Sequence, residues 1–170
     1  MDSYAEVYAS VIRVQIEKLK RKDPCPQQVL EYLYIGSAGA ATNIEVLKSL
    51  QITHILSVCE CLPPAFPDEF EYKVVPVEDS AATKISKHFK ATNQFIHAAA
   101  QAGGKVLVHC LAGVSRSATV VLAYLMKHGR RSLREALDLL RASRARVNPN
   151  ISFMAQLQQY EAYIQRLRLT

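Results

Sequence analysis

Apolar positions along the chain switch between helical and strand-like spacing, and the switches mark the elements. Near the N-terminus Val7, Val11 and Val14, with Ile12, Ile16 and Leu19, recur at three- and four-residue intervals. That spacing predicts an amphipathic helix, ending in the basic stretch Lys18–Lys22. Asp23-Pro24-Cys25-Pro26 breaks it, so the chain divides into a basic N-terminal helix (1–24) and a main domain (25–170). Val29–Ile35 reads as strand, or as two short strands around a turn, closing at Gly36. Asn43 is placed to cap a short helix through Leu50, and Ile52–Val58 reads as a buried strand. A Pro-rich loop (62–67) precedes a strand over Tyr72–Val77. A helix over 85–102 stops at Gly103-Gly104, and Lys105–His109 is again strand. A short loop then opens an apolar helix over 116–127. Ser132 and Glu135 form a capping box for a helix that aligns Leu133, Leu137 and Leu140. After Asn148-Pro149-Asn150, the positions Phe153, Leu157, Tyr160, Ile164 and Leu167 mark a final helix. Strands alternating with helices predict an α/β fold around a mostly parallel sheet.

Composition narrows the class. At 170 residues, 49% apolar and 21% charged, the chain suits one globular domain. No apolar run approaches the roughly 18–20 residues of a membrane span, and the N-terminus lacks the apolar core of a signal peptide. The expectation is a soluble intracellular protein, cytoplasmic or nuclear. Net charge is +6 and unevenly spread: residues 111–170 carry 10 Lys/Arg against 3 Asp/Glu, residues 1–110 carry 11 against 12. A basic half favours an anionic partner or is a solvated face. The four cysteines are expected to remain thiols in an intracellular setting. Cys59-x-Cys61 lacks the two-residue gap usual for zinc and a second ligand pair, so both read as structural thiols and no metal is implied.

The chemistry concentrates in residues 106–117, His109-Cys110-Leu111-Ala112-Gly113-Val114-Ser115-Arg116-Ser117 with the strand before it. A strand feeding a tight loop into a helix turns backbone N–H groups inward, and the helix start adds partial positive charge, so an anion fits the concavity. Gly113 supplies backbone freedom that a side chain would obstruct. A thiolate at Cys110 would sit in that field, poised to attack phosphorus. Arg116 offers a planar fork for two phosphate oxygens. Ser117 is near enough in sequence to hydrogen-bond the sulfur, and His109 is better suited to ordering the loop than to acid–base work.

These residues, with Ala123–Met126, resemble the signature of dual-specificity protein phosphatases, a branch of the cysteine-dependent tyrosine phosphatase superfamily. Tyr34-Ile35-Gly36, Ile52–Ile55 and Asn148–Phe153 match the family's pattern too, and the likeness covers about residues 27–165. Residues 62–75 and the basic N-terminal helix resemble most the short plant members that act on MAP kinases. The resemblance implies a five-stranded sheet, no cofactor, and a catalytic set of Cys110, Arg116, Ser117 and an aspartate on a loop after a strand. Asp79 fits, following the strand over Tyr72–Val77 and preceding Cys110 by 31 residues. Asp68, Glu69 and Glu78 are the other upstream candidates, and Glu78 stays open as Asp79's neighbour. The loop residues His109, Leu111, Ala112, Gly113, Val114 and Ser115 would bind substrate phosphate.

The five residues between Cys110 and Arg116 carry no charge. Phosphoinositide-directed relatives usually have lysines there and RNA-directed ones His or Asn, so a phosphoprotein is expected, with phosphotyrosine and phosphoserine/phosphothreonine both admitted. Arg141, Arg144 and Arg146 either complement a helix end or form a second anion site, for which the resemblance favours Arg144. A MAP kinase is the expected substrate, and the basic helix suits calmodulin's grooves, an anionic membrane surface or docking on an acidic partner, or else packs on the domain. A catalytically weak phosphoprotein-binding adaptor and a sulfurtransferase are the rival readings. The intact Cys110, Asp79, Arg116 and Ser117 argue against the first, and Ser117 with Ala123–Met126 against the second.

Overall fold

At the centre of the sheet lies β5 (Val106–His109), every residue of it buried. It is parallel to both neighbours, β2 (Leu33–Gly36) and β3 (His54–Ser57). The edges are β1 (Gln27–Leu30), antiparallel to β2, and β4 (Glu71–Val74), parallel to β3, giving the order β1-β2-β5-β3-β4. The sheet is thus five-stranded and mostly parallel, as expected. The computed structural model describes residues 3–169. Met1, Asp2 and Thr170, the outermost positions of the two expected segments, lie outside the described residues.

Helices cover both faces, which is why the central strands are apolar without alternation. On one face Leu33, Ile35, Leu56, Val106 and Val108 pack with α4 (Phe89–Gln101), α5 (Arg116–Lys127), α6 (Leu133–Ser143) and α7 (Ile151–Leu169). On the other, Tyr34, Ile55 and Leu107 pack with Leu47 of α3 (Ile44–Ser49). Gly36, Ser57 and His109 stand in register, so three loops leave the same C-terminal edge, where open parallel sheets gather ligand-binding groups. The capping box of α6 is present in full, and Asn43 caps α3 through the Val46 N–H at 3.4 Å.

Several expectations shift. The helix over 85–102 opens with a 3₁₀ turn, Ile85–His88. The strand over Tyr72–Val77 stops at Val74, after which Val75 and Val77 enter the core from extended loop. A further short helix, α2 (Ala38–Ala41), gave no periodic signal because its side chains are all small. Smallness is what it contributes: a Cβ on Gly39 would lie 2.4 Å from the backbone carbon of Leu19, so α1 (Ser3–Lys22) crosses α2 in backbone contact. Ile12 of α1 is buried with Ala38, Cys59 and Leu62, with Ile16 and Leu19 beside them. Val7, Val11 and Val14, expected among the apolar positions of this helix, are 61%, 49% and 67% exposed, because the apolar positions wrap further round the helix than the face it buries. Leu167 is likewise 46% exposed on α7. No described helix is long and apolar enough to cross a membrane.

Candidate active site

Between β5 and α5 the backbone carbonyls are all engaged on the outside of the loop. Cys110 O accepts from His109 Nδ1 at 3.1 Å, and Leu111 O from the Ala38 N–H at 2.9 Å. Ala112 O and Gly113 O accept from Arg144 Nη2 and Nε at 3.0 and 2.8 Å. Val114 O accepts from the Asn148 N–H at 2.9 Å. With the carbonyls pulled outward, the amide N–H groups face the interior of the loop, where they make an anion cradle against the start of α5. Gly113 adopts φ +67°, and a Cβ there would meet Gly36 O at 2.6 Å and Arg144 Nη2 at 2.7 Å, which accounts for glycine at this position.

Cys110 lies on the floor of this cradle, 2% exposed. Its sulfur accepts the Gly113 N–H at 3.2 Å and stands 3.2 Å from Ser117 Oγ. The two contacts fix the sulfur between the loop and the first turn of α5. His109 is fully buried, and burial, helped by the nearby Arg116 charge, lowers its pKa to about 4. It is therefore neutral near pH 7, and its Nδ1–H holds the Cys110 carbonyl as loop-ordering work requires.

Arg116 is held from one side only. Its Nη1 donates to Glu60 Oε2 at 2.7 Å, to Val77 O at 3.0 Å and to Cys59 Sγ at 3.4 Å. Its Nε is buried and has no partner among the described residues. Such an orphan donor costs on the order of 1–3 kcal/mol, and a phosphate oxygen would satisfy it. Glu60 escaped the sequence reading. Its one signal was position, since residues 58–61 leave β3 at the same sheet edge as the phosphate loop.

Asp79 is brought to the mouth. Its Oδ1 accepts from Ser115 Oγ and from Asn150 Nδ2, both at 2.9 Å. Ser115 Oγ also accepts the Asn150 N–H at 3.0 Å, so the Asn148–Asn150 turn locks the carboxylate to the loop. Glu78 makes no hydrogen bond or ion pair to the described residues. Ser115, expected to bind phosphate, thus places its side chain on Asp79. Among the loop residues Leu111 and Val114 are partly buried and Ala112 exposed.

Arg144 departs from expectation. It is 5% exposed, and its guanidinium is taken up by Asp23 Oδ1 and Oδ2 at 3.1 and 2.6 Å, by Gln27 and by the two loop carbonyls. Arg146 joins it on Asp23. A buried, fully paired fork is not a second anion site; it is the brace that turns Ala112 and Gly113 outward. Burial would raise the Asp23 pKa, but hydrogen bonds from Arg144 and Ser37 and the charges of Arg144 and Arg146 outweigh it and hold the group below its ordinary value; in the sequence Asp23 was legible only as part of a helix-breaking turn.

The comparisons agree with this geometry. The family model for the dual specificity phosphatase catalytic domain matches residues 33–163. Dual specificity protein phosphatase 1 of Arabidopsis thaliana is 42% identical over 160 residues, 94% of this chain and 81% of that protein. Dual specificity protein phosphatase 1B of the same plant is 45% identical over 138 residues, 81% of this chain and 83% of its own. The crystal structure of human DUSP28 superposes with a TM-score of 0.80 at 35% identity, covering 83% of this chain and 99% of that one. With a cradle for one phosphate, a cysteine on its floor and a carboxylate at its mouth, the chain belongs to the dual specificity phosphatase family and is a protein tyrosine/serine/threonine phosphatase.

Proposed function

We propose that the protein dephosphorylates the doubly phosphorylated Thr-x-Tyr segment of a MAP kinase through a phosphocysteine formed on Cys110. The single observation that carries the chemistry is the outward engagement of every carbonyl from Cys110 to Val114, with the buried Arg116 Nε at the end of the same loop left without a partner among the described residues. Phosphate oxygens bind the inward amides and Arg116, which places phosphorus in line with the sulfur. As the P–S bond forms, Asp79 protonates the departing side-chain oxygen. The same carboxylate then takes a proton from water, which attacks phosphorus, and the Ser117 hydroxyl hydrogen-bonds the leaving thiolate.

Two features support this substrate class. The loop side chains from Leu111 to Ser115 carry no charge, which suits one phosphate rather than a polyanionic head group. The basic half, 10 Lys/Arg against 3 Asp/Glu over residues 111–170, attracts a segment bearing two phosphates. For α1 we favour docking on the domain over capture by calmodulin, because Ile12, Ile16 and Leu19 are already packed. A cytoplasmic or nuclear location is part of the same proposal.

The test is a trap. Asp79→Ala, immobilised and exposed to lysate from stimulated cells, should retain a doubly phosphorylated MAP kinase, and vanadate should release it. Retention that survives vanadate, or is equal with Cys110→Ser/Arg116→Ala, would sink the substrate assignment.

A further inference from the structure

Arg116 is steadied from behind by Cys59, which has a second cysteine, Cys61, at its side. Cys59 and Cys61 Sγ lie 2.9 Å apart, and Cys59 Sγ accepts from Arg116 Nη1 at 3.4 Å. Glu60, between them, makes the 2.7 Å ion pair with the same nitrogen. We propose that Cys59 and Cys61 are an oxidation site, closed to a disulfide by hydrogen peroxide, whose closure loosens Arg116 and weakens phosphate binding.

Access and geometry both favour it. Cys61 is partly exposed and borders a cavity of about 510 Å³ beneath α1, lined also by Tyr8, Ile12, Pro63 and Tyr72. Peroxide therefore meets Cys61 first. Its sulfur is oxidised to a sulfenic acid as the peroxide O–O bond breaks and one water leaves. The Cys59 sulfur then forms the S–S bond, and its thiol proton departs with the sulfenic hydroxyl as a second water. Two thiols lose two electrons and two protons, and one peroxide becomes two waters. Burial pushes the Cys59 thiol up to about 12, which disfavours it as the sulfur that attacks peroxide and leaves that step to Cys61.

The alternative use of the trio is a metal site, since the sulfurs of Cys59 and Cys61 and a Glu60 oxygen lie within 4.8 Å of one another. Two observations disfavour it. The Glu60 charge is already met by Arg116, and thiolates on one tetrahedral zinc sit about 3.8 Å apart, given Zn–S bonds near 2.3 Å. A disulfide needs the opposite movement, closing to about 2.05 Å. That closure ties Glu60 into a small ring and draws Cys59 away, so Arg116 loses the geometry of two of its Nη1 partners.

The experiment uses Cys110→Ser protein, so that the nucleophile takes no part in thiol chemistry, treated with hydrogen peroxide, capped with maleimide and mapped by mass spectrometry. Expected is one peptide holding Cys59 and Cys61, lighter by two hydrogens, uncapped, and restored by dithiothreitol. Tungstate binding to this oxidised protein should weaken about tenfold and recover on reduction. Cys61→Ser in the same background should lose both effects, while in the otherwise native enzyme it leaves reduced activity within about twofold. Both cysteines capped after peroxide, or a disulfide that leaves tungstate affinity unchanged, would overturn the proposal. Neither outcome bears on whether the untreated enzyme hydrolyses phosphoproteins.

Discussion

Arg116 carries a buried charge whose compensation is deliberately incomplete: Nη1 is saturated by Glu60, Val77 and Cys59, and Nε is not. Lysine cannot reproduce that division, because an ammonium has no rigid fork. Arg116→Lys should therefore lower kcat/KM by about 10²–10³-fold, the usual cost of losing an oriented donor to a transition state. Steady-state kinetics on a phosphopeptide would check it, and a loss below tenfold would mean that the loop amides bind phosphate alone. Arg144 predicts a different pattern. As the brace of Ala112 and Gly113, its replacement in Arg144→Ala should damage single- and double-phosphopeptide turnover equally, whereas selective damage to the double would restore it as an anion site. Asp79→Asn should slow phosphopeptides by about 10²-fold and nitrophenyl phosphate much less, because nitrophenolate leaves without a proton; the same ratio for both would return Glu78 to contention. At this scale the placement of Cys110, Gly113 and Arg116 around one loop was legible because it follows from a local strand-loop-helix motif. Glu60 and Asp23 were not, since they meet Arg116 and Arg144 across 56 and 121 residues of chain, and nothing in a local pattern encodes a partner that distant.

Among the elements, those with strong periodicity or caps were readable, and those defined by close approach were not. Ser132 and Glu135 announced α6, whereas α2 is four small residues whose purpose appears only when α1 lies across Gly39. The docked face of α1 was overdrawn for a related reason: apolar spacing marks every greasy position, not the ones a neighbour covers. The crossing gives a test. Gly39→Ala places a methyl against the Leu19 backbone and should cost about 1–3 kcal/mol, as overpacking does. Deleting residues 1–22 should lower the melting temperature and also abolish the Gly39→Ala penalty, because the clashing backbone is gone. Additive losses in the double variant, read by thermal denaturation, would mean that Gly39 serves some contact other than α1.

For the molecule as a whole, the buried neutral His109 links the phosphate loop to the stability of the fold. The unfolded chain takes up a proton near the ordinary 6.5, the folded chain only near 4. Between those values the unfolded state binds more protons, so stability falls as pH drops, by about 1.4 kcal/mol per pH unit for one such group. His128, lowered by burial and by His97, works in the same direction. From pH 7 to 5 the intact protein should lose about 2 kcal/mol through His109, and His109→Asn should show a shallower fall in denaturant titrations at the two pH values. An identical slope would mean that His109 is protonated in the fold.

The central claim is that one sulfur, Cys110, takes the phosphate before water does, and it can be read directly. Ser117→Ala removes the hydroxyl 3.2 Å from that sulfur and should slow breakdown of the intermediate more than its formation. Turning over a Tyr(P) peptide and quenched in acid within milliseconds to seconds, this variant should show one added phosphoryl group on intact-mass analysis. Fragmentation should place it on Cys110, and Cys110→Ser should show none. Phosphate released at an undiminished rate with no covalent adduct at any quench time, or an adduct on another residue, would contradict it.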